Sequence, residues 1–103
     1  MFPVRFRSES YHPKEQVLGL ILDGQAKAYP FVELAKASDA AVVDITDTLA
    51  GQTIRVRYQA AHHSADVFDE KGEALPGVTL FWFAWYAFHP ETEIYRFENS
   101  VGN

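Results

Sequence analysis

Cysteine is absent from the 103 residues, which removes disulfides, thiolate metal sites and thiol nucleophiles together. Any metal would have to be held by imidazole and carboxylate, so a divalent metal on His and Asp is the one metal chemistry left open. Positive charge is scarce: nine Lys and Arg stand against fourteen Asp and Glu, a formal net charge of −5 with the four histidines neutral. Such a field repels a polyphosphate backbone on average, and nucleic acid is set aside as a partner. Long apolar runs are missing as well. The longest, residues 78–88, falls well short of the roughly 20 residues that cross a bilayer, so no transmembrane segment is expected. The opening Met1-Phe2-Pro3-Val4-Arg5 lacks a charged stretch followed by an apolar one. No export signal is therefore expected in this chain, and an exported form would take its address from a larger precursor.

What is there in quantity is aromatic surface. Eight Phe, five Tyr and two Trp, within a hydrophobic share of 48%, exceed what a disordered chain carries. At this length they suit one compact domain over residues 1–103 and not two independent cores.

Local chemistry punctuates the chain. Residues 17–22 and 25–29 flank Asp23-Gly24, a dipeptide that tolerates the positive φ angles of a type I′ turn, and so predict a two-residue hairpin. Its first strand is apolar on both faces and is expected to lie centrally, covered on both sides. Pro30 presets φ for a helical turn, Glu33 complements a positive helix start, and Phe31, Leu34 and Ala35 share one face of a short helix over 31–37. Residues 41–45 are β-branched and strand-like. After a turn at Gly51, residues 53–59 alternate Ile54, Val56 and Tyr58 against Arg55, Arg57 and Gln59, one face for packing and one carrying cations. Residues 64–68 and 73–75 bracket Asp69-Glu70-Lys71-Gly72 as a second hairpin. Residues 4–7 alternate as a short edge strand, and 94–97 form a last one. Residues 80–88 are apolar all round, so periodicity alone does not decide them. Helix is favoured by the stripe Phe81, Ala84, Trp85, Phe88 and by His89-Pro90 as a stop, against the strand preference of the aromatics.

These pieces include Phe2-Pro3-Val4, His12-Pro13-Lys14-Glu15 with Val17-Leu18-Gly19, and Ala26-Lys27-Ala28-Tyr29-Pro30. With the distinctive block Phe81-Trp82-Phe83-Ala84-Trp85-Tyr86-Ala87-Phe88-His89-Pro90-Glu91-Thr92, the chain resembles DUF3179, a bacterial family of domains of unknown function. The resemblance covers most of the chain. It implies a fragment or one unit of a larger bacterial protein and a periplasmic or membrane-anchored parent. Many members carry a Tyr-Cys-Pro-Leu-Cys-Gly-like segment, and here the matching stretch begins Tyr58-Gln59-Ala60-Ala61-His62. Gln59 and His62 stand where the two cysteines would be, so a dithiol or thiolate role does not carry over.

The one cluster that suggests chemistry is His62, His63, Asp66 and Asp69, with His12 and His89 available from distant segments. His62, His63, Asp66 and His89 are the candidate metal ligands. Adjacent histidines on a strand point to opposite faces, so His62 and His63 serve one ion only if the chain turns between them; the commoner fate of such residues is a turn or a solvated surface. Arg55, Arg57, Gln59 and His62 are candidates for holding an anionic ligand, with pairing of the arginines to Asp44 or Asp66 as the ordinary alternative. No Gly-x-Ser-x-Gly elbow or phosphate loop is present.

The sum is an α+β domain: a small, mainly antiparallel β-sheet of about five to seven strands, one short helix after the first hairpin, and one aromatic-rich helix packed on the sheet. Its expected function is a non-catalytic accessory or ligand-binding module of a bacterial envelope protein, and the balance leans away from an enzyme. The alternatives are a metal-dependent His/Asp site of hydrolytic kind and an edge-strand interaction domain that docks on its parent, a protein partner or itself.

Overall fold

The computed structural model describes residues 11–97. The elements run β1 (Gln16–Leu22), β2 (Gln25–Pro30), α1 (Phe31–Lys36), β3 (Val42–Leu49), β4 (Gln52–Gln59), a single 3-10 turn (Ala60–His62), β5 (Ser64–Asp69), β6 (Val78–Phe81), α2 (Trp82–Phe88) and β7 (Glu93–Ile94). The α+β class holds, with the strands divided between two sheets in place of the single one expected. One sheet has the order β6-β1-β2-β7 and the other β3-β4-β5. All pairings are antiparallel except β2 with β7.

The first hairpin forms as its sequence dictates. Asp23 and Gly24 both adopt positive φ, 49° and 78°, the pair of left-handed residues that a type I′ turn needs. This turn sets the register Leu22↔Gln25 through Val17↔Pro30. With β6 on its other side, β1 is central, and its two faces feed two cores. Leu18 and Leu20, with Tyr29 of β2, meet Val43, Ile45, Ile54, Val56 and Val67 of the second sheet, and Phe31 and Leu34 of α1 close that core. Val17, on the opposite face, joins Ala28, Trp82 and Trp85 beneath α2. The described fold is thus three layers deep, α2 on the four-stranded sheet on the three-stranded sheet; both faces of β1 are covered because both are apolar, while the outer face of the three-stranded sheet stays charged and exposed.

The aromatic block resolves differently from the expected helix over 80–88. Residues 78–81 extend as β6, and the helix begins only at Trp82 because Phe81 is extended, with φ −75° and ψ 149°. The buried stripe is consequently shifted from the expected Phe81, Ala84, Trp85, Phe88. Trp82 and Trp85 are buried, Tyr86 packs on Trp82, and Phe88 stands 76% exposed. Packing selects this stripe, since an indole lying flat on a sheet removes more apolar surface than a phenyl ring at its rim. Two smaller departures follow the same logic of pairing. Residues 73–75 meet β5 only through the bridge Phe68↔Ala74, and the last strand is Glu93–Ile94 and not 94–97. The edge strand expected at 4–7 lies outside the described residues.

Trp85 fixes this arrangement at both ends of its side chain. Its ring rests against Gly19, where any Cβ would overlap it. Its Nε1 donates to Thr92 Oγ1 at 2.9 Å, in the turn that returns the chain to β7 beside β2.

Two buried polar clusters tie the layers. Asp47 Oδ2 accepts from the Tyr29 hydroxyl at 2.7 Å and from Lys27 Nζ at 2.8 Å, linking β2 to β3 across the sheets. Burial, then the Asp47 carboxylate, push the Tyr29 hydroxyl far above the usual phenol range, so it stays a donor. Glu33, in the first turn of α1 as expected, is buried. Its carboxylate accepts from Tyr11 Oη at 2.8 Å and from the Phe97 N–H at 3.0 Å, with Lys36 Nζ at 3.5 Å. Burial raises the Glu33 pKa, but these donors outweigh it and hold the carboxyl below its ordinary value.

Trp85→Ala is expected to cost about 3–5 kcal/mol, and Gly19→Ala about 1–3 kcal/mol by overpacking, read from urea midpoints. An unchanged midpoint for either would refute the packing described. Because the Glu33 pKa is lowered on folding, its contribution is present above the unfolded value of about 4.3 and is lost as pH falls through the folded value. The stability gap between the native chain and Glu33→Gln should therefore narrow as the pH is taken below about 4; a gap constant with pH would contradict this.

Candidate functional site

The polypeptide turns sharply where β4 gives way to β5. After Gln59, whose register partners are Val42 and Ser64, the 3-10 turn carries the chain out of the sheet. His63 then reverses it in the left-handed region, φ 47° and ψ 50°, its N–H bonded to the Ala60 carbonyl at 3.2 Å. A left-handed conformation in a non-glycine residue costs roughly 1–2 kcal/mol, and such residues cluster where the fold needs a side chain placed against preference. Here the result is that His62 and His63 do lie on a turn, and that His63 lines a cleft.

That cleft, about 380 Å³, opens between the start of β1, the exposed side of α1 and the end of β6. Phe31, Val32, Ala35, Tyr58 and Phe81 give it an apolar wall, and Lys14, Glu15, Gln16 and His63 supply polar groups. Glu15 is already engaged, since its Oε2 accepts the Val32 N–H at 2.9 Å. Lys14 is exposed and forms no ion pair among the described residues. The cleft thus carries one carboxylate, held toward α1 by a backbone amide, and one cation, Lys14, that is left available to a ligand.

The other candidates are dispersed. Asp66 lies on β5 directly opposite Arg57 of β4. Arg57 is taken up by Asp44, Nε to Oδ1 at 2.9 Å, and its guanidinium stands 5.8 Å from the Phe68 ring centroid. That hydrogen bond first, and the neighbouring charge with it, hold the Asp44 carboxyl low. Arg55 faces outward beside Thr46, Thr53 and Glu70, two residues along the strand from Arg57. His62 is exposed beyond the end of β4. His89 lies at the other side of the molecule, where it ends α2 with its N–H on the Trp85 carbonyl and its ring 4.3 Å from the Trp85 ring. Among the described residues no three His, Asp or Glu side chains are grouped so as to hold a metal ion. None of the helices there is long and apolar enough to cross a membrane.

Sequence reasoning reached His63 but missed Lys14, Glu15 and Phe81, which come to the cleft from distant segments. The available signal was His12-Pro13, whose proline ends any regular element just before β1 and leaves Lys14 and Glu15 at the strand's mouth. Since glycine takes the left-handed conformation of His63 without that cost, His63→Gly is expected to stabilise the fold by about 0.5–1 kcal/mol in thermal melting despite the added flexibility of glycine. A destabilised variant would mean that the imidazole makes a structural contact worth more than the strain.

No curated protein and no solved structure matches the chain. One family model does, over residues 1–92, and it spans the aromatic block, both sheets' central strands and the cleft. The chain belongs to the family described as Protein of unknown function (DUF3179).

Proposed function

We propose that the domain is a non-catalytic ligand-binding module and that the cleft beneath His63 is its binding site. The observation that carries this reading is the coincidence of three features in one place: a strained non-glycine residue, an apolar wall, and at the rim Lys14, which has no ion pair among the described residues. The fit is to a small organic carboxylate, its ring or aliphatic body against Phe31, Tyr58 and Phe81 and its anionic end toward Lys14 and His63. The resemblance supports the location, since Gln59 and His62 at this turn stand where many relatives carry cysteines. Within the periplasmic or membrane-anchored parent that the family resemblance implies, such a module would supply recognition and leave chemistry to other domains.

Titration with phenylacetate, followed by amide chemical shifts, tests the site against benzylamine as the cationic counterpart. Shifts confined to Val32, Tyr58, His63 and Phe81, with a dissociation constant on the order of 1 mM for so small a ligand, are expected, and Lys14→Glu should abolish them. Shifts scattered over the surface, or equal response to benzylamine, would overturn the assignment.

A further inference from the structure

Residues 12–15 are tied down before the chain enters β1. Glu15 donates its N–H to the His12 carbonyl at 2.9 Å, and Lys14 donates its N–H to His12 Nδ1 at 3.0 Å, which closes a tight turn around Pro13. The first two amides of α2 reach into the same turn, Trp82 N–H to the Glu15 carbonyl at 2.7 Å and Phe83 N–H to the Pro13 carbonyl at 2.9 Å. On the other side the Glu15 carboxylate takes the Val32 N–H of α1. The turn is thus a strap fastened to both helices. The two charged side chains that it brings to the cleft, Lys14 and Glu15, stand on a backbone set before any ligand arrives.

These opposite charges are neighbours in sequence and line one cleft, yet they form no ion pair with each other or with any other described residue. Glu15 spends one carboxylate oxygen on Val32, and its other oxygen accepts no hydrogen bond among the described residues. Lys14 is exposed and its ammonium is likewise uncommitted there. A ligand with a carboxylate alone gains from Lys14 and loses to repulsion by Glu15. A ligand that carries both signs meets a counter-charge at each end. Beyond the charges lies the apolar wall of Phe31, Tyr58 and Phe81, in a cleft whose 380 Å³ stands near the lower end of the range of about 300–1,000 Å³ found for small-molecule sites.

We infer that the cleft takes a free α-amino acid with an aromatic or bulky apolar side chain. Its carboxylate turns toward Lys14 and His63, its ammonium toward the uncommitted oxygen of Glu15, and its side chain lies on Phe31, Tyr58 and Phe81. An α-amino acid holds both charges on one carbon, which suits a cation and a carboxylate on consecutive residues of one strap. The inference rests on the reading of the cleft as a carboxylate site and narrows it.

Phenylalanine, 3-phenylpropanoate and phenethylamine share a ring and a chain and differ only in the charged groups they carry. Titrated into the full chain at neutral pH and followed by the amide shifts of Val32, Tyr58 and His63, phenylalanine is expected to bind at least about tenfold more tightly than either of the others. In Glu15→Gln, which keeps an oxygen for the Val32 N–H, its preference over 3-phenylpropanoate should shrink to within about twofold, with thermal melting to show that the fold is kept. Should that variant not fold, the three ligands on the native chain decide the matter alone. Equal binding of 3-phenylpropanoate and phenylalanine would overturn the inference and leave the carboxylate site standing. A preference that survives Glu15→Gln would overturn it too, because the ammonium would then be received elsewhere. If neither acid moves these amides, the carboxylate site itself fails and the amino-acid assignment with it.

Discussion

The contact of the Trp85 ring with Gly19 organises the molecule. The Trp85 indole comes so close to β1 that no side chain fits beneath it, and Gly19 is the position on that face that has none. From this contact the helix gains its rotation, with Trp82 and Tyr86 falling on the same side, and the sheet gains its second cover. The polar end of the same side chain then sets the turn at Thr92, which delivers β7 to β2 as the only parallel pairing among the described strands. One aromatic residue thus couples a helix axis, a sheet face and a chain reversal. Its partner Trp82 is as deeply buried, yet among the described residues its Nε1 finds no acceptor, and its side chain acts through packing, with Val17 and Ala28 beneath and Tyr11 and Tyr86 beside it.

How much of this is legible in the sequence depends on the range of the interaction. The hairpin at Asp23-Gly24, the helix after Pro30 and the alternation in β4 are decided by neighbours in sequence, and each appears with boundaries close to those expected. The division into two sheets is not local: a strand such as Val42–Leu49 is equally content beside any partner, and only the volume between the layers decides which. The aromatic block departs from expectation for a related reason. In a segment apolar on every side periodicity is silent, and the stripe is settled by where Gly19 allows an indole to sit. Glu33 is legible only in part: its place in the first helical turn is local, but its burial depends on a tyrosine and an amide from the far ends of the described fold that converge on it.

The candidate site divides in the same way. The His62-His63 turn is visible as a break in the alternation of β4, and a turn is what adjacent histidines need if both are to face one way. Lys14 and Phe81 carry no mark, since their relevance comes from the pairing of β1 with β6 that brings both to the rim of one cleft. The arginines of β4 are visible as a pair but not in their separate fates. Register places Asp44 and Asp66 on either side of Arg57, while Arg55 faces Thr46 and Phe68.

The Glu33 carboxylate has a mechanical meaning as well as an electrostatic one. It grips Tyr11 through its phenol at one end of the described fold and Phe97 through its backbone N–H at the other, so both ends are tied to a single side chain. Tension applied along the polypeptide from both directions would meet at this clip before reaching either sheet.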